Sequence, residues 1–61
     1  PQEYLMAYRM NKAKQLLTDK RQSLSVKEIA FSIGFDNPLY FSRIFHKRVG
    51  MTPTQFSKEN R

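Results

Sequence analysis

The fold is decided by residues 25–45, which read SVKEIAFSIGFDNPLYFSRIF. Ser25 precedes Glu28 by three residues, and this is the spacing of a capping box at the start of a helix. Apolar residues then recur at helical intervals as far as Gly34, where a C-cap in the left-handed backbone region is expected. The pattern therefore predicts a short helix that ends in a glycine turn.

A second helix is predicted directly after this turn. Either Asp36 or Asn37 can cap it, and Pro38 suits its first turn because proline fits the first helical position. Its apolar side chains fall on one face, and Gly50 is expected to end it. The range 25–48 is thus predicted to contain two helices.

The spacing between Ala30 and Gly34 is typical of a helix-turn-helix unit. A small residue is required where the second helix crosses the first, and a glycine accepts a backbone conformation that a side chain would resist. In this interpretation residues 37–48 form a recognition helix for the major groove of DNA. The alternative is an ordinary αα-hairpin in a small bundle, and the spacing alone leaves both open.

The rest of the chain also has helical periodicity. Residues 1–18 carry an apolar stripe with intervals of four, three and four residues, and Pro53 can begin a short helix over 53–60. No alternating strand pattern occurs, so the expected fold class is all-α, with a long N-terminal helix followed by three shorter helices. The residues expected in the structural core are Met10, Ala13, Leu17, Ile29, Ala30, Ile33, Gly34, Phe35, Phe41, Ile44, Phe45 and Phe56.

Composition limits the classes of function. The 61 residues include 11 Lys and Arg against 5 Asp and Glu, a net charge of +6, which favours a polyanionic partner such as nucleic acid. There is no cysteine and His46 is the one histidine, so neither a disulfide nor a metal centre is expected. The sequence has no Ser/His/Asp or Cys/His set, no phosphate-binding glycine loop and no run of about 20 apolar residues. We therefore expect no enzyme, no cofactor and no membrane partner.

The predicted recognition helix has a polar face opposite its apolar one. With Phe41, Ile44 and Phe45 on the buried side, the opposite face would present Leu39, Arg43 and His46, flanked by Ser42, with Asp36 and Tyr40 nearer its edges. Arg43 is the strong base reader among them, because arginine forms paired hydrogen bonds with guanine. The candidate phosphate contacts are Ser25, Lys27, Asn37, His46 and Lys47. Arg48, which follows Lys47 near the end of the helix, could add a further phosphate contact. The alternative for the charged residues is a solvated surface whose cations are favoured by the helix dipole.

Residues 25–53, SVKEIAFSIGFDNPLYFSRIFHKRVGMTP, closely resemble the second helix-turn-helix of the AraC/XylS family of bacterial transcription regulators. The resemblance rests on Ile29, Ala30, Gly34, Phe35, Tyr40, Phe41, Ser42, Arg43, Phe45, Gly50, Thr52, Pro53 and Phe56. Residues 1–17, PQEYLMAYRMNKAKQLL, are similar to the linker helix of that family through Tyr4, Leu5, Arg9, Met10, Ala13, Leu16 and Leu17. Together the two segments cover essentially the whole chain.

The resemblance implies a homeodomain-like helix-turn-helix fold in a single domain fragment, residues 1–61, that begins with a linker helix. In the family, two helix-turn-helix units are joined by this helix, and each inserts a recognition helix into one of two successive major grooves. The chain would then lack the first unit, and its partners would include that missing upstream unit and a sensor or receiver domain. We expect part of the first helix, including Tyr4 and Tyr8, to face the first unit.

Carried over by position, the base contacts of the family fall on Pro38, Leu39, Tyr40, Ser42 and Arg43. Family members often have long polar side chains at the first two of these positions, so here Leu39 is expected to meet a thymine methyl group. Ser57 is a second departure, because the family usually has arginine there. Any contact of that arginine is expected to be lost or moved towards Lys58.

The expected function is sequence-specific binding of double-stranded DNA as part of a bacterial transcription regulator, in the cytoplasm and on the nucleoid. The alternative is a protein-interaction module that docks on RNA polymerase or on another regulator domain. Binding to duplex DNA that weakens steeply with salt would favour the first, and salt-tolerant binding to a protein would favour the second.

Overall fold

All regular structure in residues 2–21 and 24–60, the part of the chain that the computed structural model describes, is helical. The helices are α1 (Gln2–Thr18), α2 (Val26–Ser32), α3 (Pro38–Val49) and α4 (Pro53–Asn60). The all-α fold class, with a long first helix followed by three shorter ones, is confirmed. The two terminal residues of the expected 1–61 domain, 1 and 61, lie outside the described residues.

The start of α2 is fixed by a complete capping box. The Ser25 hydroxyl oxygen accepts a hydrogen bond from the backbone N–H of Glu28 at 3.1 Å, and the Glu28 carboxylate accepts one from the backbone N–H of Ser25 at 2.9 Å. The hydrogen bond from the Ser25 backbone is the main reason that the pKa of Glu28 lies below its ordinary value. Two helix-end donors are thereby satisfied without tertiary contacts.

The bounds of α3 differ by one residue at each end from the expected range of 37–48. Asn37 has an extended backbone, with φ −126°, and its side-chain oxygen accepts from the Leu39 N–H at 2.9 Å. It therefore caps the helix from outside, and Pro38 is the first helical residue. The helix runs on to Val49, and Gly50 ends it with φ 96°.

Gly34 was expected in the core, and this expectation is wrong because the residue is exposed at the surface of the turn. Its φ of 103° lies in the region that side chains rarely adopt, so its importance is conformational. The turn is held by a hydrogen bond from the Gly34 N–H to the Phe31 carbonyl at 3.2 Å and by one from the Phe35 N–H to the Ala30 carbonyl at 2.9 Å.

The core lies where α1 packs against α2 and α4, and where α3 packs against the same two helices. Its buried members are Met10, Ala13, Leu17, Ile29, Ala30, Phe35, Phe41 and Phe45. The other expected core residues, Ile33, Ile44 and Phe56, are half-buried and pack against this cluster. At the end of α1, Ser57 of α4 donates a hydrogen bond to the Leu17 carbonyl at 3.1 Å. Ser57 thus satisfies one of the carbonyl groups at the C-terminal end of α1 that have no partner within the helix.

An ion pair joins the first turn of α1 to the last turn of α3. The Arg48 guanidinium donates to both carboxylate oxygens of Glu3, at 3.0 and 2.8 Å. Such a two-point contact fixes the relative orientation of the groups as well as their distance. The pKa of Glu3 is lowered, chiefly by the hydrogen bond from Arg48. The pair therefore links the two helices directly.

Glu3→Gln is expected to lower the melting temperature at about pH 7, and this effect is expected to diminish as the pH falls below 4.5, the ordinary pKa of a glutamate. A carboxylate with a lowered pKa stabilises the folded state above its unfolded pKa, and this stabilisation is lost as the pH falls through the folded pKa. Thermal unfolding of both proteins across this pH range measures the difference. Glu59→Gln is the matched control, because Glu59 is exposed and forms no ion pair within the described residues. A Glu3→Gln effect equal to that of the control at every pH would contradict the prediction.

Candidate nucleic-acid interface

The outer face of α3 consists of Leu39, Tyr40, Arg43, His46 and Lys47, all of them exposed. At about 100° per residue these positions fall within roughly one third of the helix circumference. The helix contains no acidic residue, and its last turn carries three basic side chains. The outer face is therefore an exposed, cationic ridge whose N-terminal end, formed by Leu39 and Tyr40, is apolar and aromatic.

This ridge is held by the opposite side of the helix. Phe41 and Phe45 are both 0% exposed, and their ring centres are 5.8 Å apart. Phe41 also contacts Phe35 of the turn, and Phe45 contacts Phe56 of α4, at ring-centre distances of 5.3 and 5.5 Å. Tilted and edge-on aromatic pairs of this kind stabilise a core beyond the area they bury. The position of the outer face is thus determined by packing on both neighbouring elements.

The candidate base contacts divide into two groups by exposure. Leu39 and Tyr40 are 76% and 51% exposed, and Arg43 is exposed as well. Pro38 and Ser42 are half-buried, on the flank between the outer face and the buried face of the helix. Three long side chains therefore project from α3, while the two short ones allow another surface to approach the helix closely.

The candidate phosphate contacts differ in how much of their hydrogen-bonding capacity is already used. Ser25 and Asn37 serve as helix caps through their side-chain oxygens. These residues retain their hydroxyl and amide hydrogens as donors. Lys27, His46 and Lys47 are exposed and form no ion pair within the described residues.

Arg48 is in a different position from these three residues. Its guanidinium is neutralised by Glu3, so a DNA phosphate would have to displace a two-point carboxylate contact to bind it. Sequence reasoning could not separate Arg48 from Lys47, because the two are neighbours at the helix end. The signal that separates them is the tertiary position of Glu3, which lies 45 residues away in sequence.

Arg9 lies near this surface, although the sequence indicated it only as part of the resemblance to a linker helix and not as part of the site. Its guanidinium carbon lies 5.2 Å from the centre of the Phe35 ring, beside the turn between α2 and α3. In the sequence Arg9 is one basic residue among several on α1, and its contact with the turn follows only from the crossing of the helices. No local pattern indicates it.

A short helix, a glycine turn and a second helix with an exposed cationic face form the arrangement that is typical of a helix-turn-helix DNA-binding domain. Comparison with known families agrees with this class, because a family profile described as a helix-turn-helix domain matches residues 1–59. The chain belongs to the AraC-type helix-turn-helix family, as the resemblance predicted. It is an AraC-type helix-turn-helix DNA-binding domain of a transcription regulator, and such a domain is not an enzyme.

Several bacterial regulators are similar to this chain. The transcriptional activator AggR of Escherichia coli is 44% identical over 54 residues, which are 88% of this chain and 20% of AggR. The regulator CdhR of Pseudomonas aeruginosa is 36% identical over 55 residues, 90% of this chain and 16% of CdhR. The transcriptional regulatory protein YesN of Bacillus subtilis is 52% identical over 40 residues, 64% of this chain and 11% of YesN. The chain thus spans one fifth or less of the length of these relatives. No solved structure matches it.

None of the helices in residues 2–21 and 24–60 is both long enough and apolar enough to cross a membrane.

Proposed function

We propose that the chain binds double-stranded DNA sequence-specifically by inserting α3 into the major groove, as part of a bacterial transcription regulator. The observation that carries this proposal is the outer face of α3, where exposed Leu39, Tyr40 and Arg43 project from a helix held by the fully buried Phe41 and Phe45. An α-helix fits the major groove, where each base pair presents a distinct set of donors, acceptors and methyl groups. A rigidly held ridge with both apolar and cationic groups suits that pattern.

Each side chain of the outer face has a role that follows from its chemistry. Arg43 pairs with the O6 and N7 atoms of a guanine, and Leu39 packs on a thymine methyl group. Tyr40 contributes a ring edge and a hydroxyl to a neighbouring base. Pro38 and Ser42, which are short, permit the helix backbone to come close to the bases.

Phosphate contacts orient the helix without reading the sequence. We assign this role to Lys27, His46 and Lys47, and we assign weaker contacts to the remaining donors of Ser25 and Asn37. The assignment follows from exposure and from the missing ion pairs described above. Arg48 is left out because Glu3 already binds its guanidinium.

A further part of the proposal concerns the exposed side of α1. Tyr4, Leu5 and Tyr8 are 76%, 47% and 60% exposed. We propose that this side packs against an upstream helix-turn-helix unit of the parent protein. The parent protein would also carry a sensor or receiver domain. The parent would act in the bacterial cytoplasm on nucleoid DNA, in agreement with the bacterial sources of its relatives.

The competing function is a module that docks on RNA polymerase or on another regulator domain. The specific observation in its favour is Phe31 of α2, a large apolar side chain that is 48% exposed. Docking through Phe31 and DNA binding through α3 use different residues. The two functions are therefore separable by substitution.

Selection of duplexes from a randomised library, followed by affinity measurements over a range of salt, tests the proposed function. We expect enrichment of a defined site and a logarithmic salt slope of about −0.9 for each phosphate contacted. Lys47→Met should reduce the magnitude of that slope by about 0.9 and weaken binding to all duplexes alike. Phe31→Ala is the control, and it should leave DNA binding unchanged. Enrichment of no site, with salt-independent capture of RNA polymerase that Phe31→Ala abolishes, would favour the docking function instead.

A further inference from the structure

Arg9 of α1 lies against the turn that joins α2 and α3. The Cζ atom of its guanidinium is 5.2 Å from the centre of the Phe35 ring, which is within the range of a cation–π contact. Its Nη2 atom is 3.2 Å from the position that a Cβ atom would take at Gly34. The lack of a side chain at Gly34 therefore leaves the room that the Arg9 guanidinium occupies.

Phe35 connects this contact to α3. The Phe35 side chain is buried, and its ring centre lies 5.9 Å from that of Tyr40 and 5.3 Å from that of Phe41. Phe41 is fully buried and is held on its other side by Phe45, whereas Tyr40 is 51% exposed. A change at Arg9 that shifts the Phe35 ring is therefore expected to move Tyr40 more readily than Phe41.

The surroundings of Arg9 favour a positioning role over contact with a DNA phosphate. Arg9 is half-buried and lines an open groove of about 590 Å³ together with Asp36, whose carboxylate would repel a phosphate group. Leu5 and Met6 form part of the same lining. The planar guanidinium suits this place because it stacks on an aromatic face while its edge stays hydrated.

We propose that Arg9 is a positioning residue for DNA recognition: through the Phe35 ring it fixes the direction in which the Tyr40 side chain meets the bases. The inference rests on the proposed function, because it uses the base contact of Tyr40. It gives α1 a part in sequence readout, although none of the proposed DNA contacts lies on that helix.

A double-mutant cycle between Arg9 and Tyr40 tests this role. The wild-type chain, Arg9→Met, Tyr40→Ala and the double variant are each measured against the duplex that the wild type enriches and against its single-base-pair variants. We expect Arg9→Met to weaken binding of the enriched duplex about fivefold, and we expect this loss to disappear in the duplex that is altered at the base pair read by Tyr40. In the Tyr40→Ala background, Arg9→Met should cause little further loss of affinity. Lys12→Met is the matched control, since it removes one positive charge from an exposed position of the same helix.

Two further measurements separate the alternatives. The ring-proton NMR signals of Tyr40 in the DNA-free chain should shift in Arg9→Met and stay in place in Lys12→Met. Arg9→Lys, which keeps the charge and loses the planar group, should resemble Arg9→Met in selectivity while its salt slope stays that of the wild type. It also provides the selectivity comparison if Arg9→Met does not fold.

The failures of the two proposals are distinguishable. Wild-type chain that binds all duplexes equally would overturn the proposed function, and the Tyr40 signals would still decide whether Arg9 orients that ring. Retained discrimination, with additive losses at Arg9 and Tyr40, would overturn the role of Arg9 alone. A salt slope that falls in magnitude by about 0.9 in both Arg9→Met and Lys12→Met would also overturn that role, because it would reduce Arg9 to one of several general cationic contacts.

Discussion

Phe41→Ala is expected to destabilise the domain by about 3–5 kcal/mol, the usual cost of removing a buried phenylalanine side chain. Phe41 is 0% exposed, and its ring contacts those of Phe35 and Phe45 at centre distances of 5.3 and 5.8 Å. The truncation thus leaves a cavity at the junction of the turn and α3. A domain of this length has a free energy of unfolding of roughly 3–9 kcal/mol, so the truncation is expected to remove about a third of it or more.

Urea unfolding followed by circular dichroism measures this effect. Leu39→Ala is the matched control, because Leu39 lies in the same helix and is 76% exposed. We expect the control to keep its free energy of unfolding within a few tenths of a kcal/mol of that of the wild type, since surface substitutions away from special features change stability little. Equal midpoints for Phe41→Ala and Leu39→Ala would show that the assignment of the buried face of α3 is wrong.

The helix ends could be predicted closely from sequence because local interactions determine them. Ser25 and Glu28 form the capping box that their spacing indicates, and Gly50 has the left-handed conformation that a helix-ending glycine adopts. The sequence left the cap of α3 open between Asp36 and Asn37. The hydrogen bond from the Leu39 N–H to Asn37 decides that question. Features of this kind depend on residues three or four apart, so a sequence pattern contains them.

The features that could not be predicted depend on how the helices cross. The Glu3–Arg48 pair joins residues 45 apart, and the Arg9–Phe35 contact joins α1 to the turn. Neither pairing has a local signature, because any of several basic residues could have met Glu3. The surface position of Gly34 has the same cause, since the spacing shows that a glycine is needed but not which side of the turn faces solvent.

The candidate site also combines features that follow from local sequence with features that depend on tertiary packing. Helical periodicity selects Leu39 and Arg43 as outward-facing, and both are exposed. Periodicity alone also put Ser42 on the edge of this face, whereas the structure leaves it half-buried. Exposure limits which side chains can reach a DNA base, and the identity of the base depends on the duplex.

Arg43→Ala is expected to remove about 1–3 kcal/mol of discrimination at one base pair of the selected site. Arg43 is exposed at the centre of the outer face of α3, and no carboxylate within the described residues forms an ion pair with it. Its guanidinium is thus available for two parallel hydrogen bonds to a guanine. Affinities for the selected duplex and for its single-base-pair variants measure the loss, which should be confined to one position.

Arg43→Lys sharpens this test because it keeps the charge and removes the planar pair of donors. If Arg43 reads a guanine, the lysine variant should lose most of the discrimination and retain the wild-type salt slope. Lys47→Met provides the opposite pattern, with a smaller slope and unchanged discrimination. Should Arg43→Ala weaken all duplexes equally and Arg43→Lys restore them, Arg43 would be a phosphate contact. Readout would then rest on Leu39 and Tyr40, the apolar and aromatic end of the helix.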